Sequence, residues 1–505
     1  MLSAVWYAAP RRNLVPGYLR TLSTLVPALE DRLKTVLGDR LTFNPTVLQS
    51  HGQDESYHRP VPPQAVAYPA STEEVSAVVA ACAAHRTPLI PFGAGTSLEG
   101  HVAALQGGVC LDLSRMNQVL QVSPEDLDCR VQAGVTRHQL AAHLHDTGLF
   151  FPVDPGADAT LGGMASTRAS GTTTVKYGGM RDNVRGLTVV LPDGSIMRTG
   201  KRAVAWCPVG CRQVRKSAAG YDLPALFIGS EGTLGVITEL NLRLWGQPEA
   251  VSAAVCSFES MQGAVEAVTL IMQCGIPVAR IELLDKVAID AVNRYSSTDF
   301  TPAPTLFFEF HGSAEGVREA AAAAGAVVGD MGGSGFQWAE AQEDRKRLWA
   351  ARHTAYYAAC QLRPGCRGFV TDSCVPLARL TEAVLASQAA CQRHGILAPM
   401  VGHVGDANFH MMQIIDPGSP DEMARVKECS EELVHIAQSM GGTCTGEHGV
   451  GYGKLHHLLA EHGEPALRVM HAIKQAIDPL GIMNPGKMGG DPAAFTAVQQ
   501  QAVGQ

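Results

Sequence analysis

An α+β fold with two separate hydrophobic cores is what the sequence predicts, and three observations carry that prediction. The chain, at 505 residues, is longer than one core usually supports. Strand-like runs and amphipathic helical patterns interleave without an internal repeat at the periods of solenoids or propellers. A turn-forming stretch, Gly246-Gln247-Pro248-Glu249, separates two such groups of elements.

In the first group, Ser71 with Glu74 makes a capping box for a helix running to His85, on which Val75, Val78, Val79 and Cys82 share one face. The run Leu89-Ile90-Pro91-Phe92 reads as a buried strand that delivers a glycine-rich loop. Further strands are predicted at 109–113, 130–133 and 187–191, the last closed by Pro192-Asp193-Gly194. At 238–244, Thr238, Leu240, Leu242 and Leu244 alternate with Glu239, Asn241 and Arg243, as one buried and one wet strand face require. The second group reads strand 251–258, helix 261–274 and strand 278–284. Strands at 305–311 and 367–374 follow, interleaved with helices at 316–324, 342–359 and 377–394.

Hydrophobic residues make up 46% and charged residues 17% of the chain, the balance of a packed globular protein. With 40 Lys+Arg against 48 Asp+Glu, the formal charge of -8 excludes a general nucleic-acid binder. No stretch of about 18 apolar residues exists, so no membrane-spanning helix is expected. The 13 Cys sit mostly in apolar runs and read as reduced core thiols; neither Cys207/Cys211 nor Cys360/Cys366 has a second half to complete a zinc cage. The first acidic residue is Glu30, while Arg11, Arg12 and Arg20 precede it among Ser, Thr, Leu and Tyr, the composition of a mitochondrial transit peptide or else of a simple N-terminal extension.

Side chains must be absent where a backbone closely approaches a pyrophosphate, so Gly93, Gly95 and Gly100, with the Thr96 and Ser97 hydroxyls after Pro91, suit a phosphate cradle. The residue three beyond Gly95 is Leu98 and no P-loop Lys follows, which disfavours Rossmann and P-loop folds. More glycine-dense loops follow. They hold Pro155-Gly156, Thr160 with Gly162 and Gly163, Ser170-Gly171, Tyr177-Gly178, and Glu231 through Gly235-Val236-Ile237. Several loops that each admit close approach fit an extended dinucleotide such as FAD better than a compact phosphate. Two further glycine-rich segments carry His403, His410 and Glu447, two neutral imidazoles and a carboxylate of the kind that binds Zn or Mn while leaving positions open for substrate. His403 and His410 flank Gly405-Asp406-Ala407-Asn408, read as a turn between strands that brings both rings inward; Asn408 is a candidate substrate contact and Asp406 a candidate support for a ligand histidine. His448, beside Glu447, is the candidate base.

Taken in order, the segments P-F-G-A-G-T-S-L-E-G-H, F-P-V-D-P-G-A-D-A-T-L-G-G-M, K-Y-G-G-M-R-D-N-V, G-S-E-G-T-L-G-V-I-T, G-H-V-G-D-A-N-F-H, T-G-E-H-G-V-G and N-P-G-K resemble the PCMH-type flavoproteins of the vanillyl-alcohol-oxidase superfamily, in their cytochrome-linked D-lactate dehydrogenase branch, from about Leu41 to about Met488. The resemblance implies a FAD domain of two α+β subdomains and an α+β substrate or cap domain with an antiparallel sheet. It implies FAD held non-covalently, with Asn484 of N-P-G-K among its contacts and His101 an ordinary loop residue. It also implies Arg352 on the substrate carboxylate, loss of the C2 hydrogen as hydride to the flavin, and cytochrome c or another acceptor for the electrons. The expected boundaries are 1–30 for the extension, 31–246 for the FAD domain, 247–465 for the cap with its metal site, 466–490 for a helix and N-P-G-K segment returning to the FAD domain, and 491–505 for a flexible tail. The short basic segment 200–215 departs from the family pattern.

The function so implied is oxidation of D-lactate to pyruvate, with D-2-hydroxyglutarate, glycolate or a branched-chain hydroxy acid as alternative substrates. Trp338, Trp349, Tyr356 and Tyr357 suggest an apolar side-chain pocket, or equally helix core. A metal hydrolase built on the His/Glu set is the competing class, as is a non-catalytic flavoprotein; absence of flavin colour would favour the hydrolase.

Overall fold

In a computed structural model, residues 24–199, 214, 216–339 and 341–488 are described. The arginine-rich start, nearly all of the basic segment 200–215 and the tail after 488 lie outside the described residues. The fold is α+β, with a mixed four-stranded sheet and two large antiparallel sheets.

The first core is built around the four-stranded and five-stranded sheets. Leu89–Phe92 and Ala65–Ala67 both pair in parallel with Val109–Asp112, and Leu41–Thr42 closes the edge antiparallel to Ala65–Ala67. The five-stranded sheet runs Val119–Ser123, Asp128–Gln132, Val236–Arg243, Val184–Val190, Ile196–Arg198, all antiparallel. Alternation in Val236–Arg243 follows the pleat: Leu240 and Leu242 are buried while Glu239, Asn241 and Arg243 are half-buried. The helix Thr72–Ala84 starts where expected, Ser71 accepting from the Glu74 amide, and buries Val75, Val78, Val79 and Cys82.

This unit begins earlier than residue 31. The helix Pro27–Leu37 spans that position and buries Leu29, Leu33 and Leu37, four residues apart and therefore on one face, in the same core. Ile482 and Met483 belong to that core too, and Met483 pairs with Leu89, so the chain's last described residues return to the first unit.

In the second core an antiparallel sheet runs Gly333–Ala339, Ala250–Phe258, Thr305–Gly312, Arg280–Leu284, Met400–His403, Asn408–Ile415, Arg367–Val370. Helices Met261–Gln273, Ala314–Asp330 and Leu380–Arg393 bury their apolar stripes with it. Two expected elements are broken. The helix predicted over 342–359 is Gln342–His353 followed by Ala355–Gln361, and the strand predicted over 367–374 is Arg367–Val370 and Ser373–Cys374. The interruption at Thr371–Asp372 has a physical cause: both residues turn their polar groups to the site described next.

Candidate functional site

A cleft in the first unit runs beside the glycine loops. Its walls include Pro91, Gly93, Gly95, Thr96, Ser97, Pro155, Thr160, Gly162, Gly163, Ser170, Glu231, Gly235, Ile237 and Asn484, and Glu447 and His448 of the second unit also line it. At Gly93 a Cβ would lie 2.2 Å from Thr160 Oγ1, so a side chain there would drive two cleft-forming segments apart. Among the described residues, no protein acceptor takes the amides of Gly95, Thr96 and Ser97. Side-chain-free approach and available N–H donors are what a pyrophosphate-bearing dinucleotide needs, so this cleft fits FAD.

The remaining glycine-loop residues stand outside the cleft wall. Gly100 donates its amide to Asp54 Oδ2 at 2.9 Å, and a Cβ there would meet the Tyr452 ring. Gly156 closes a turn on Asp154, Gly171 packs on the Asp154 carbonyl, and Gly178 packs on Asp182. Val236 is buried at the start of its strand. Tyr177 donates to His311 Nδ1 at 2.7 Å, joining the two units rather than facing the cleft. Their glycine signal was real, but it marks turns and close helix–strand packing as readily as ligand approach.

Two cleft residues work mainly as staples. Glu231 accepts the amides of Val450 at 2.7 Å and Gly451 at 2.8 Å, and His101 Nε2 stands 3.2 Å from it. Asn484 Nδ2 donates to the carbonyls of Glu231 at 2.7 Å and His101 at 3.2 Å. Gly449 makes this loop possible. Its φ is +83°, and a Cβ would sit 2.7 Å from Glu231 Oε1.

The imidazole and carboxylate set comes together at the end of the cleft. Strands Met400–His403 and Asn408–Ile415 form a hairpin in which His403 pairs with Asn408 and Val401 with His410. That register puts His403, Asn408 and His410 on one face. Ala407, at φ 55°, closes the turn between them. His403 Nε2 lies 3.1 Å and His410 Nε2 3.3 Å from the same Glu447 oxygen, Oε1. Each ring is aimed by its other nitrogen: His403 Nδ1 donates to Glu282 Oε1 at 2.7 Å, and His410 Nδ1 to the Thr371 carbonyl at 3.0 Å. Nδ1–H donation leaves the Nε2 lone pairs converging beside a carboxylate, the donor set of a zinc-like cation with both imidazoles already oriented. Burial works against charge on Glu447, but with no cation between them the positive charge of His403 and the ring N–H bonds from His403 and His410 hold its carboxyl well below the usual range; a bound cation would take the place of those ring protons.

Glu282, fully buried, also takes Arg352 Nε at 2.7 Å. It is Glu282, not Asp406, that orients His403. Asp406 is pushed up to about 7 by burial, against the pull of His403. Arg352 therefore stands one carboxylate away from the metal-type set. The four aromatic residues take other positions: Trp349 is buried under the Arg280 guanidinium, Tyr356 packs on Gly368, and Trp338 and Tyr357 are exposed.

Asp372 organises the other side. It accepts from Asn408 Nδ2, Thr445 Oγ1 and the amides of Glu447 and His448, each at 2.8 Å. Burial opposes its charge, yet His448, Lys454 and His410 hold it below the carboxylate range. Asn408 also donates to the Ser373 carbonyl at 3.1 Å, which leaves its Oδ1 buried without a protein partner among the described residues. Asn408 can thus accept a hydrogen bond at the site but not donate one. The His448 ring stacks on His410 with centroids 4.9 Å apart, and its Nδ1 is likewise buried and unpartnered among the described residues. Burial pushes His448 down to about 4, so it is neutral at physiological pH and able to accept a proton. Ser170, expected as a cofactor contact, lines the cleft but donates its hydroxyl to Glu447 Oε2 at 2.7 Å, tying the two halves together.

Glu282, Thr371 and Asp372 escaped the sequence reading. Each lies in or beside a strand with no neighbouring glycine or histidine to mark it; only the three-dimensional pairing brings it to the site.

Residues 63–200 match the family model for the FAD binding domain, and residues 247–488 the model for the C-terminal domain of FAD linked oxidases. The chain is 49% identical to the probable mitochondrial D-lactate dehydrogenase of Danio rerio, over 95% of this chain and 96% of that protein. It is 43% identical to the mitochondrial D-lactate dehydrogenase (cytochrome) of Arabidopsis thaliana, over 91% of this chain and 80% of that one. Among solved structures, p-cresol methylhydroxylase with substrate bound superposes with a TM-score of 0.76 at 19% identity, covering 92% of this chain and 96% of its own, a likeness of fold alone.

Proposed function

The chain belongs to the FAD-linked oxidases of the PCMH type, and from that premise we propose that it oxidises D-lactate to pyruvate, removing two electrons and two protons. The observation that carries this reading is the meeting of His403 and His410 on Glu447, which itself lines the glycine-walled cleft, with neutral His448 stacked on His410.

When bound, FAD supplies the two-electron acceptor and a divalent cation, Zn or Mn, the Lewis acidity that makes a substrate hydroxyl easier to deprotonate. His403, His410 and Glu447 would hold the cation. His448 takes the hydroxyl proton on a ring nitrogen, a step a neutral buried imidazole performs and an imidazolium cannot. Asn408 Oδ1 offers an acceptor for the hydroxyl before its proton leaves. Arg352, steadied by Glu282, binds the substrate carboxylate through its planar fork.

The names of the relatives support a mitochondrial setting, and that of the Arabidopsis protein a cytochrome as the electron acceptor, for which cytochrome c is our reading. No helix among the described residues is long and apolar enough to cross a membrane. The experiment that tests the reading is anaerobic mixing of purified protein with D- and L-lactate and a panel of other 2-hydroxy acids. D-lactate should bleach the flavin fastest and L-lactate not at all; a flavin indifferent to every D-hydroxy acid refutes the proposal. Chelation should abolish turnover, and restored metal should return it.

A further inference from the structure

Imidazoles and a carboxylate converge at a second place in the second unit. Glu431 lies on the helix Pro420–Ser439, and His456 and His457 on the short turn Leu455–His457 that leads into the last helix. His456 Nε2 stands 2.8 Å from Glu431 Oε1, and His457 Nδ1 4.0 Å from Glu431 Oε2. The two rings are 3.9 Å apart, centroid to centroid. One donor atom from each of the three residues lies within 4.8 Å of the others.

An ordinary surface ion pair explains His456 on Glu431 but not the second imidazole. Such a pair contributes little, about 0–1 kcal/mol, and would not need His457 turned to the same carboxylate. The three residues also stand on a second cavity, whose lining continues inward to Lys454, Thr371 and Asp372. Two imidazole nitrogens and one carboxylate oxygen make a donor set suited to borderline divalent cations, with water completing the coordination.

We propose that Glu431, His456 and His457 form a second binding site for a divalent transition cation of the zinc class, distinct from His403, His410 and Glu447 and set on a cavity that reaches Asp372.

The test is a zinc titration of the FAD-loaded full chain, with bound zinc counted after gel filtration in the wild type, His456→Gln and Glu431→Gln. Both changed side chains are about half exposed, so neither substitution disturbs a core. Each variant should hold about one zinc fewer per chain than the wild type, while FAD content and the rate of flavin reduction stay at the wild-type level. Equal zinc counts in all three proteins overturn the proposal.

Discussion

The cofactor cleft and the imidazole cluster meet end to end, yet they are built by opposite means. The cleft is made largely of backbone: Gly93 stands where any Cβ would strike Thr160, and among the described residues no protein acceptor takes the amides of Gly95, Thr96 and Ser97. The cluster is made of side chains held by buried carboxylates: Glu282 on His403 and Arg352, and Asp372 on Asn408, Thr445 and the Glu447–His448 backbone. Removing a side chain from the first region changes little where none reaches in. Removing one from the second leaves a buried charge without its partner, a loss on the order of 3–5 kcal/mol for such pairs.

That contrast predicts where each substitution registers. His448→Ala should lower the rate of anaerobic flavin reduction by roughly 10²- to 10⁴-fold while FAD and metal contents stay normal; an unchanged single-turnover rate removes His448 as the base. Glu282→Gln should weaken metal binding by roughly 10- to 100-fold through a loosened His403, read as the metal retained against a competing chelator, with FAD content unaltered. If FAD is lost in parallel, the two regions are not separable as described. Gly93→Ala should do the converse, weakening FAD retention by about 1–3 kcal/mol of overpacking in dialysis against flavin-free buffer, with metal affinity unmoved.

The smallest effect concerns a buried carboxylate that is not built into the site. Asp285 caps the helix Lys286–Ser296 by accepting the Ala288 amide at 2.8 Å, and burial pushes its carboxyl up to about 6. A raised carboxyl favours its protonated form in the folded state, so its contribution is full below pH 4 and fades as pH climbs through 6. Asp285→Asn keeps a capping acceptor without the charge. Its melting temperature relative to wild type should rise by a few degrees between pH 5 and pH 8; a difference independent of pH would contradict the assignment.

How much of this was legible beforehand depends on whether a residue announces itself locally. The two-core α+β plan, the strand Leu89–Phe92 and its glycine loop could be read from neighbours in the chain. So could the pair of histidines flanking a turn, because a register of 403 with 408 follows from a short hairpin. The start of the first unit was placed too late, since Leu29, Leu33 and Leu37 are spaced for a helix but sit beside a segment that reads as a leader. Ser170, read as a cofactor contact from its glycine neighbour, lines the cleft, but that its hydroxyl also reaches Glu447, 277 residues away in the chain, had no local trace.

What the sequence alone determined about this protein is the inventory: loops stripped of side chains, two imidazoles and a carboxylate with metal-ligand chemistry, and enough apolar periodicity for two cores. Only tertiary structure decided which groups hold the site in place, because Glu282 on His403, Asp372 on Asn408 and Glu231 on the Gly451 amide act across separations of 36 to 220 residues. Backbone conformation is a local property and leaves a local trace in glycine. The pairing of the site's buried charges is a property of the folded interior, and no short window of sequence contains both Glu282 and His403 or both Asp372 and Asn408.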